Sequence, residues 1–107
     1  PDDVIKAIIQ SEYVGQAFKA MAQVLLAMFD QGVYVNGTND ADQLYRDVAK
    51  FYLNVTIPDN SHFPGTFGHM AEDYAGQYYA YLWSEVYSAD MYVSEFQKYG
   101  ILNSTTD

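Results

Sequence analysis

Apolar residues in the first third of the chain recur at intervals of three and four. Val4, Ile5, Ile8 and Ile9 form one stripe; Val14, Phe18, Met21, Leu25 and Met28 form a second, widened by Ala17, Val24 and Phe29. That spacing puts the side chains on one side of an α-helix, so two helices are predicted. Asp2 or Asp3 can cap the first, a break falls near Ser11 or Gly15, and the second stops between Gly32 and Gly37. Asn36, Gly37, Thr38 and Asn39 are turn formers, and Asp40 with Gln43 three residues later is a capping-box pattern that opens a third helix. Leu44, Val48, Phe51 and Val55 give its expected buried stripe.

Between Val55 and Gly68 the periodicity dissolves into Pro58, Asp59, Asn60, Ser61, Pro64, Gly65 and Gly68, the composition of a loop, with His62 inside it and His69 beside it. From about Asp73 the helical pattern returns and runs to Tyr99, a length of about 39 Å at 1.5 Å per residue, where Gly100 supplies a left-handed stop. No strand-period run or internal repeat competes with this pattern. The predicted class is all-α: about four main helices in a single unit over residues 1–107, with one long His-containing loop before the last, aromatic-rich helix.

That last helix differs from the others. Tyr78, Leu82, Glu85, Ala89, Tyr92 and Phe96 mark one stripe, but Tyr79, Tyr81, Trp83, Val86, Tyr87, Met91 and Val93 occupy the remaining faces. A helix that is apolar all round is buried all round. The other helices can cover only part of it, so the pattern implies either self-association or a larger protein that wraps the rest. Pro1, Asp2 and Asp3, without an initiator Met, a basic segment or a following apolar run, favour excision from a longer chain and show no signal peptide.

Composition narrows the function classes. The 107 residues are 50% hydrophobic and 17% aromatic, and only 18% are charged against roughly 25% in an ordinary soluble domain, which excludes intrinsic disorder. Fourteen acidic and five basic residues give a net charge of −9, which repels a phosphate backbone and excludes nucleic acid as a partner. Elsewhere the charge reads as a solvated face. The absence of cysteine removes disulfides, thiolate metal sites and cysteine nucleophiles, and it fits a reducing, cytoplasmic compartment. The most apolar stretch, Met21 to Phe29, falls far short of the roughly 20 residues that span a bilayer, so no membrane segment is expected.

Candidate chemistry is sparse. His62 and His69 stand seven apart across Pro64 and Gly68, not at the i, i+4 spacing of a helical zinc pair, and no HExxH occurs, so no metal site is expected in this chain. Ser84 and Ser88 lack the G-x-S-x-G turn of a serine hydrolase and read as packing residues. The Asn-x-Thr triplets at Asn36, Asn54 and Asn103 read as turn and helix-end polar groups. More informative is the cluster after His69. Tyr74, Tyr78 and Tyr81 lie at i, i+4 and i+7 and share a face if helical, while Tyr79 points elsewhere. Such a face is either core or interface, burying rings and leaving polar tips, or a cleft in which phenols donate to one substrate.

The run TFGHMAEDYAGQYYAYLWSEVYSADMYVSEFQKYGILN, Thr66 to Asn103, resembles the segment near the C-terminus of the thimet oligopeptidase and neurolysin family of zinc metallopeptidases, with FGH…Y…QYYxYLWSEVYSxDM as its specific core. The earlier helices resemble the region just before that segment, so the resemblance covers most of the chain, strongly after Phe63 and weakly before Tyr34. In that family zinc is held by HExxH and a downstream Glu, all N-terminal to the matching stretch. The resemblance therefore implies a substrate-facing wall of an oligopeptidase that cleaves short peptides, with the zinc and the rest of the catalytic domain supplied by the parent enzyme and the isolated chain inactive. His69 matches the family's loop histidine, Tyr74 the tyrosine ending the flexible loop, Tyr81 the tyrosine implicated in holding the tetrahedral oxyanion, and Tyr78 a neighbouring cleft tyrosine. Tyr81 is thus the candidate catalytic residue, and His69, Tyr74 and Tyr78 are candidate substrate-binding residues.

One departure stands out. Close relatives carry Gly-Gly before the loop tyrosine, whereas this chain has Glu72 and Asp73, which removes glycine's backbone freedom and adds negative charge beside the presumed peptide site. The competing expectation, drawn from the apolar helix alone, is a self-contained helical module whose aromatic face binds a partner helix or closes a homodimer.

Overall fold

A computed structural model describes residues 2–102, and among them every regular element is helical. The fold is all-α, as predicted. Helix α1, Asp2–Glu12, carries Asp2 and Asp3 in its first turn, where carboxylates meet the positive end of the helix dipole. Its stripe exists but has no neighbour: Val4, Ile5, Ile8 and Ile9 are each more than half exposed. The break falls where the turn chemistry put it, with Gly15 at φ 74° preceding α2, Gln16–Gln31.

Helices α2 and α3 (Ala41–Leu53) build the core. Leu25, Ala27 and Phe29 of α2 and Ala49 of α3 are buried, with Phe29 wholly so. They are joined by a π-helical turn, Gly32–Asn36, and by Gly37 at φ 72°. A Cβ on Gly32 would lie 3.0 Å from Leu44 Cδ2, so α3 approaches closely there and a side chain would require the leucine to give way. Asp40 caps α3 by accepting from Gln43 N at 2.8 Å, but the capping box is only half made. The Gln43 side chain turns to Asp47 and Arg46, and Asp40 N donates to Thr38 Oγ1 instead. Asn54 ends the helix in the left-handed region at φ 53°.

The buried face of α3 is broader than the predicted one and stops short of Phe51 and Val55. Ala49 is buried, Leu44 and Val48 of the expected stripe are half-buried together with Tyr45 and Tyr52, and Phe51 is 80% exposed. Tyr45 joins that face by meeting the Phe29 ring edge-on with centroids 5.3 Å apart. From Tyr45 the aromatic packing continues through Phe63 (4.5 Å) to Phe67 (a further 5.3 Å). This ladder leads the core into the irregular segment, which contains a 3-10 turn, Phe63–Thr66, and one short helix, α4, Gly68–Ala71.

A larger correction concerns the last helix. Residues 72–79 form turns, and α5 begins only at Ala80; it runs to Met91, passes through a π-helical turn, Tyr92–Phe96, and ends in α6, Gln97–Tyr99, before Gly100 at φ 90°. Gly76, at φ 70°, cannot continue a right-handed helix in that conformation, and the Gly76 and Tyr78 amides are drawn to a side chain of α2 instead of to upstream carbonyls. The Gly100 stop is where the pattern placed it. Leu82 and Phe96 are half-buried, and most of the other apolar residues of this helix face outward.

The molecule measures 53 × 34 × 21 Å, and its radius of gyration is 18.6 Å against about 13 Å for a compact domain of this length. Its accessible surface is 8256 Å², where a compact monomer of this mass exposes about 6,000 Å². Among the described residues no helix is long and apolar enough to cross a membrane. Asn103 lies outside the described residues.

Candidate functional site

The site is assembled where the turn 72–79 folds back over α4 and the start of α5. His69, on α4, is its centre. Its ring stacks on Tyr74 at 5.3 Å, meets Tyr78 edge-on at 4.9 Å and lies 5.7 Å from Tyr81. Tyr78 and Tyr81 are themselves 5.2 Å apart. Behind them Phe67, the end of the aromatic ladder, touches both His69 (6.0 Å) and Tyr78 (5.4 Å). All four side chains singled out from the sequence therefore meet, though not as the i, i+4, i+7 face of one helix. Tyr74 and Tyr78 belong to the turn and only Tyr81 to α5, so it is the folding-back of the turn, not helical register, that brings them together.

A cavity of about 270 Å³ opens in front of this cluster, lined by His69, Tyr74, Gln77, Ala80, Tyr81 and Ser84. Tyr81 is 57% exposed, and Tyr74 is exposed to a similar degree. Tyr78 stands behind the cavity wall. Burial raises its phenol above the ordinary value of about 10, Tyr81 adds to the rise, and a hydrogen bond with the Gln23 side chain opposes it. The phenol is therefore held in its neutral form. Tyr45 in the ladder is raised by burial in the same sense.

His69 Nε2 is buried and has no hydrogen-bond partner among the described residues. An unpaired buried nitrogen costs free energy comparable to a lost hydrogen bond. His62, by contrast, is exposed and pairs through Nδ1 with Asp42, the locally bonded surface role. Ser84 and Ser88 are exposed, and Ser84 lines the cavity instead of packing.

The turn that carries the tyrosines is held from α2 and the residues after it. Asp30, wholly buried, accepts from Gly76 N and Tyr78 N, each at 2.9 Å. Gln31 Nε2 donates to Gly76 O at 2.7 Å, and the Tyr34 hydroxyl donates to Met70 O. Sequence reasoning missed these residues, together with Gln77 and Ser84. A signal existed for one: Asp30 is an acid directly after the most apolar run of the chain. Glu72 lies at φ −109°, and residue 73 is likewise not in the left-handed region, so the acidic pair occupies its turn without needing glycine's freedom.

Among the described residues no three His, Cys, Asp or Glu side chains converge where a metal ion could be held. The residues here do not fit a zinc centre, and what the site offers is phenol donors, an amide and an imidazole around a mostly aromatic hollow.

The chain matches the model of peptidase family M3 over residues 1–106. It is similar to a thimet-like oligopeptidase of Dictyostelium discoideum, 33% identical over 108 aligned residues that cover 96% of this chain and 16% of that protein. Saccharolysin of Saccharomyces cerevisiae is 29% identical over 106 residues, covering 92% of the chain and 14% of the relative. Oligopeptidase A of Salmonella typhimurium is 29% identical over 112 residues, covering 99% and 16%. The chain thus spans about a sixth of the length of these relatives. With the family model aligned along nearly all of its length, the chain belongs to peptidase family M3.

Proposed function

We propose that this chain is the substrate-binding and transition-state-stabilising wall of a zinc-dependent oligopeptidase that hydrolyses short peptides. The observation that carries the reading is the meeting of Tyr81, His69 and Tyr74 at one cavity, with Tyr78 packed against His69 and Tyr81 behind its wall. Membership of a peptidase family supports it. Residues 1–107 act in this reading as one helical piece of a larger, cytoplasmic catalytic domain. Zinc and the general base come from the rest of that domain, and the isolated chain is inactive. The outward aromatic face of α5 is the surface on which the rest of the domain packs, and on which the isolated chain self-associates.

Within that reading each side chain has a physical task. The Tyr81 hydroxyl, open to the cavity, donates to the oxygen on which negative charge develops as the peptide carbonyl is attacked. A donor aimed at that charge strengthens as it forms, and losing one typically costs about 3 kcal/mol. His69 and Tyr74 flank the bound peptide and orient it. Tyr78, held neutral behind the wall, packs against both His69 and Tyr81 and fixes where their rings stand.

The test uses the full-length polypeptide that carries this chain. Tyr81→Phe removes one hydroxyl and keeps the ring, so kcat and kcat/KM are expected to fall together by about 10²-fold with KM little changed. Tyr79→Phe, which does not line the cavity, is the control and stays close to wild type. His69→Ala raises KM as well, because a clamp on the bound peptide acts in ground and transition state alike. Wild-type turnover in Tyr81→Phe would overturn the oxyanion assignment.

A further inference from the structure

Asp30 is a carboxylate with no solvent access, and among the described residues no cation is paired with it. Burying a charge in this way is costly unless hydrogen bonds replace its water. Here they come from two backbone amides of the tyrosine turn: Oδ1 takes Gly76 N and Oδ2 takes Tyr78 N, both at 2.9 Å, across 46 and 48 residues of sequence. The two N–H groups meet separate oxygens, a pair of acceptors that a carboxylate offers and an amide does not, since one end of Asn or Gln is itself a donor. The neighbouring Gln31 supplies the complementary donor to Gly76 O, so both polar groups of that residue are held from the same helix end. Tyr34 packs 3.7 Å from where a Gly76 Cβ would stand and donates to Met70 O, next in sequence to His69.

We infer that Asp30 is the positioning residue of the tyrosine site: by fixing the backbone at Gly76 and Tyr78 it sets where Tyr78 stands and, through the ring contacts of Tyr78, where His69 and Tyr81 face the cavity. The inference rests on the function proposed above for Tyr81. Nothing in helical propensity requires an acid at the end of α2; the need arises from the turn, whose amides left the helical ladder to reach it. A buried salt link or an apolar side chain would fill the same volume without choosing a position for the turn. A bidentate carboxylate does choose one.

The test is Asp30→Asn in the full-length polypeptide, read by peptide kinetics and by hydrogen exchange over residues 74–79. The Gly76 and Tyr78 amides are expected to exchange about tenfold faster or more while the helical signal and the remaining exchange pattern stay unchanged. In the same variant kcat falls by about tenfold or more with KM altered far less, and the fall shrinks in a Tyr81→Phe background, because the two changes act through one donor. Faster exchange with unaltered kcat would overturn the inference and leave Asp30 a structural anchor; unaltered exchange would overturn it as well. If Asp30→Asn does not fold, Asp30→Ser, which keeps one acceptor and leaves room for a water, takes its place under the same readings. In the wild-type protein, exchange of Gly76 and Tyr78 at the rate of an unstructured peptide overturns it outright. Tyr81→Phe assayed alongside separates the two claims: full turnover there removes the oxyanion reading, while a kcat loss in Asp30→Asn with faster exchange still supports positioning.

Discussion

The α2–α3 pair and α5 draw on the same kinds of side chain and end in opposite surroundings. Phe29 is wholly buried between α2 and α3, whereas Trp83 on α5 is 57% exposed, with Val86, Tyr87 and Met91 exposed beside it. The difference is not hydrophobicity but geometry. The stripe of α2 is one-sided, and α3 meets its end closely enough that a Cβ on Gly32 would stand 3.0 Å from Leu44 Cδ2. Apolar residues surround α5 on every side, and α2 meets only one of them, through Leu82. Burial therefore reports the presence of a neighbour, while composition reports only the demand for one.

Exchanging the same chemical change between the two regions breaks or sharpens that contrast. In the 107-residue chain, Phe29→Ala removes a fully buried ring and is expected to cost about 3–5 kcal/mol in urea unfolding. Trp83→Ala in the same chain, kept dilute enough to stay monomeric, removes a larger ring that meets Tyr87 edge-on at 5.8 Å, and should cost about 1 kcal/mol or less. In the full-length polypeptide the Trp83→Ala cost should rise toward about 3 kcal/mol as the proposed covering domain buries it. Equal costs for the two variants in the short chain would erase the distinction, and an unchanged Trp83→Ala in the long one would remove the covering domain from α5.

A change of about 1 kcal/mol is expected at the start of α3. Asp40→Ala takes away the acceptor that Gln43 N meets at 2.8 Å, and N-cap losses of this kind typically cost about 1 kcal/mol. Because the reciprocal half of the capping box is not made, Gln43→Ala should cost distinctly less than Asp40→Ala. Thermal melts of the two variants side by side check both statements. A Gln43→Ala loss equal to that of Asp40→Ala would mean that the full box forms.

The contrast also marks what the sequence could and could not disclose. Helix α2, the Asp40 cap and the Gly100 stop were legible because each is decided by residues within a turn or two of one another. The four aromatic site residues were legible as a cluster, yet for a reason that failed in part: Tyr74 and Tyr78 were assigned to a helix that begins only at Ala80. What displaced its start is a contact across 46 and 48 residues, from Asp30 to Gly76 and Tyr78, and no local pattern records such a contact. Gln77 and Ser84 were not visible as cavity residues for the same reason, since the cavity exists only once the turn has folded back. The exposed stripe of α1 shows the converse: correct periodicity with no neighbour to bury it.

The smallest effect is expected at Phe51, where sequence pattern and structure disagree most sharply within the well-packed region. Periodicity through Leu44, Val48 and Phe51 reads as a core stripe, and a core phenylalanine cut to alanine would cost about 3–5 kcal/mol. In the structure Phe51 is 80% exposed at the rim of the α2–α3 pair and touches Tyr52 edge-on at 4.9 Å. Little apolar area returns to water when the ring is removed, and alanine has the better helix propensity by a few tenths of a kcal/mol, which offsets the lost contact. Phe51→Ala should thus lie within about 0.5 kcal/mol of wild type in urea unfolding of the 107-residue chain. Tyr45→Ala, one face round on the same helix and packed between Phe29 and Phe63, should be several times more costly. If the ranking were reversed, Phe51 would lie against α2, Tyr45 would leave the aromatic ladder, and the packed route from the core to His69 would be cut at its second ring.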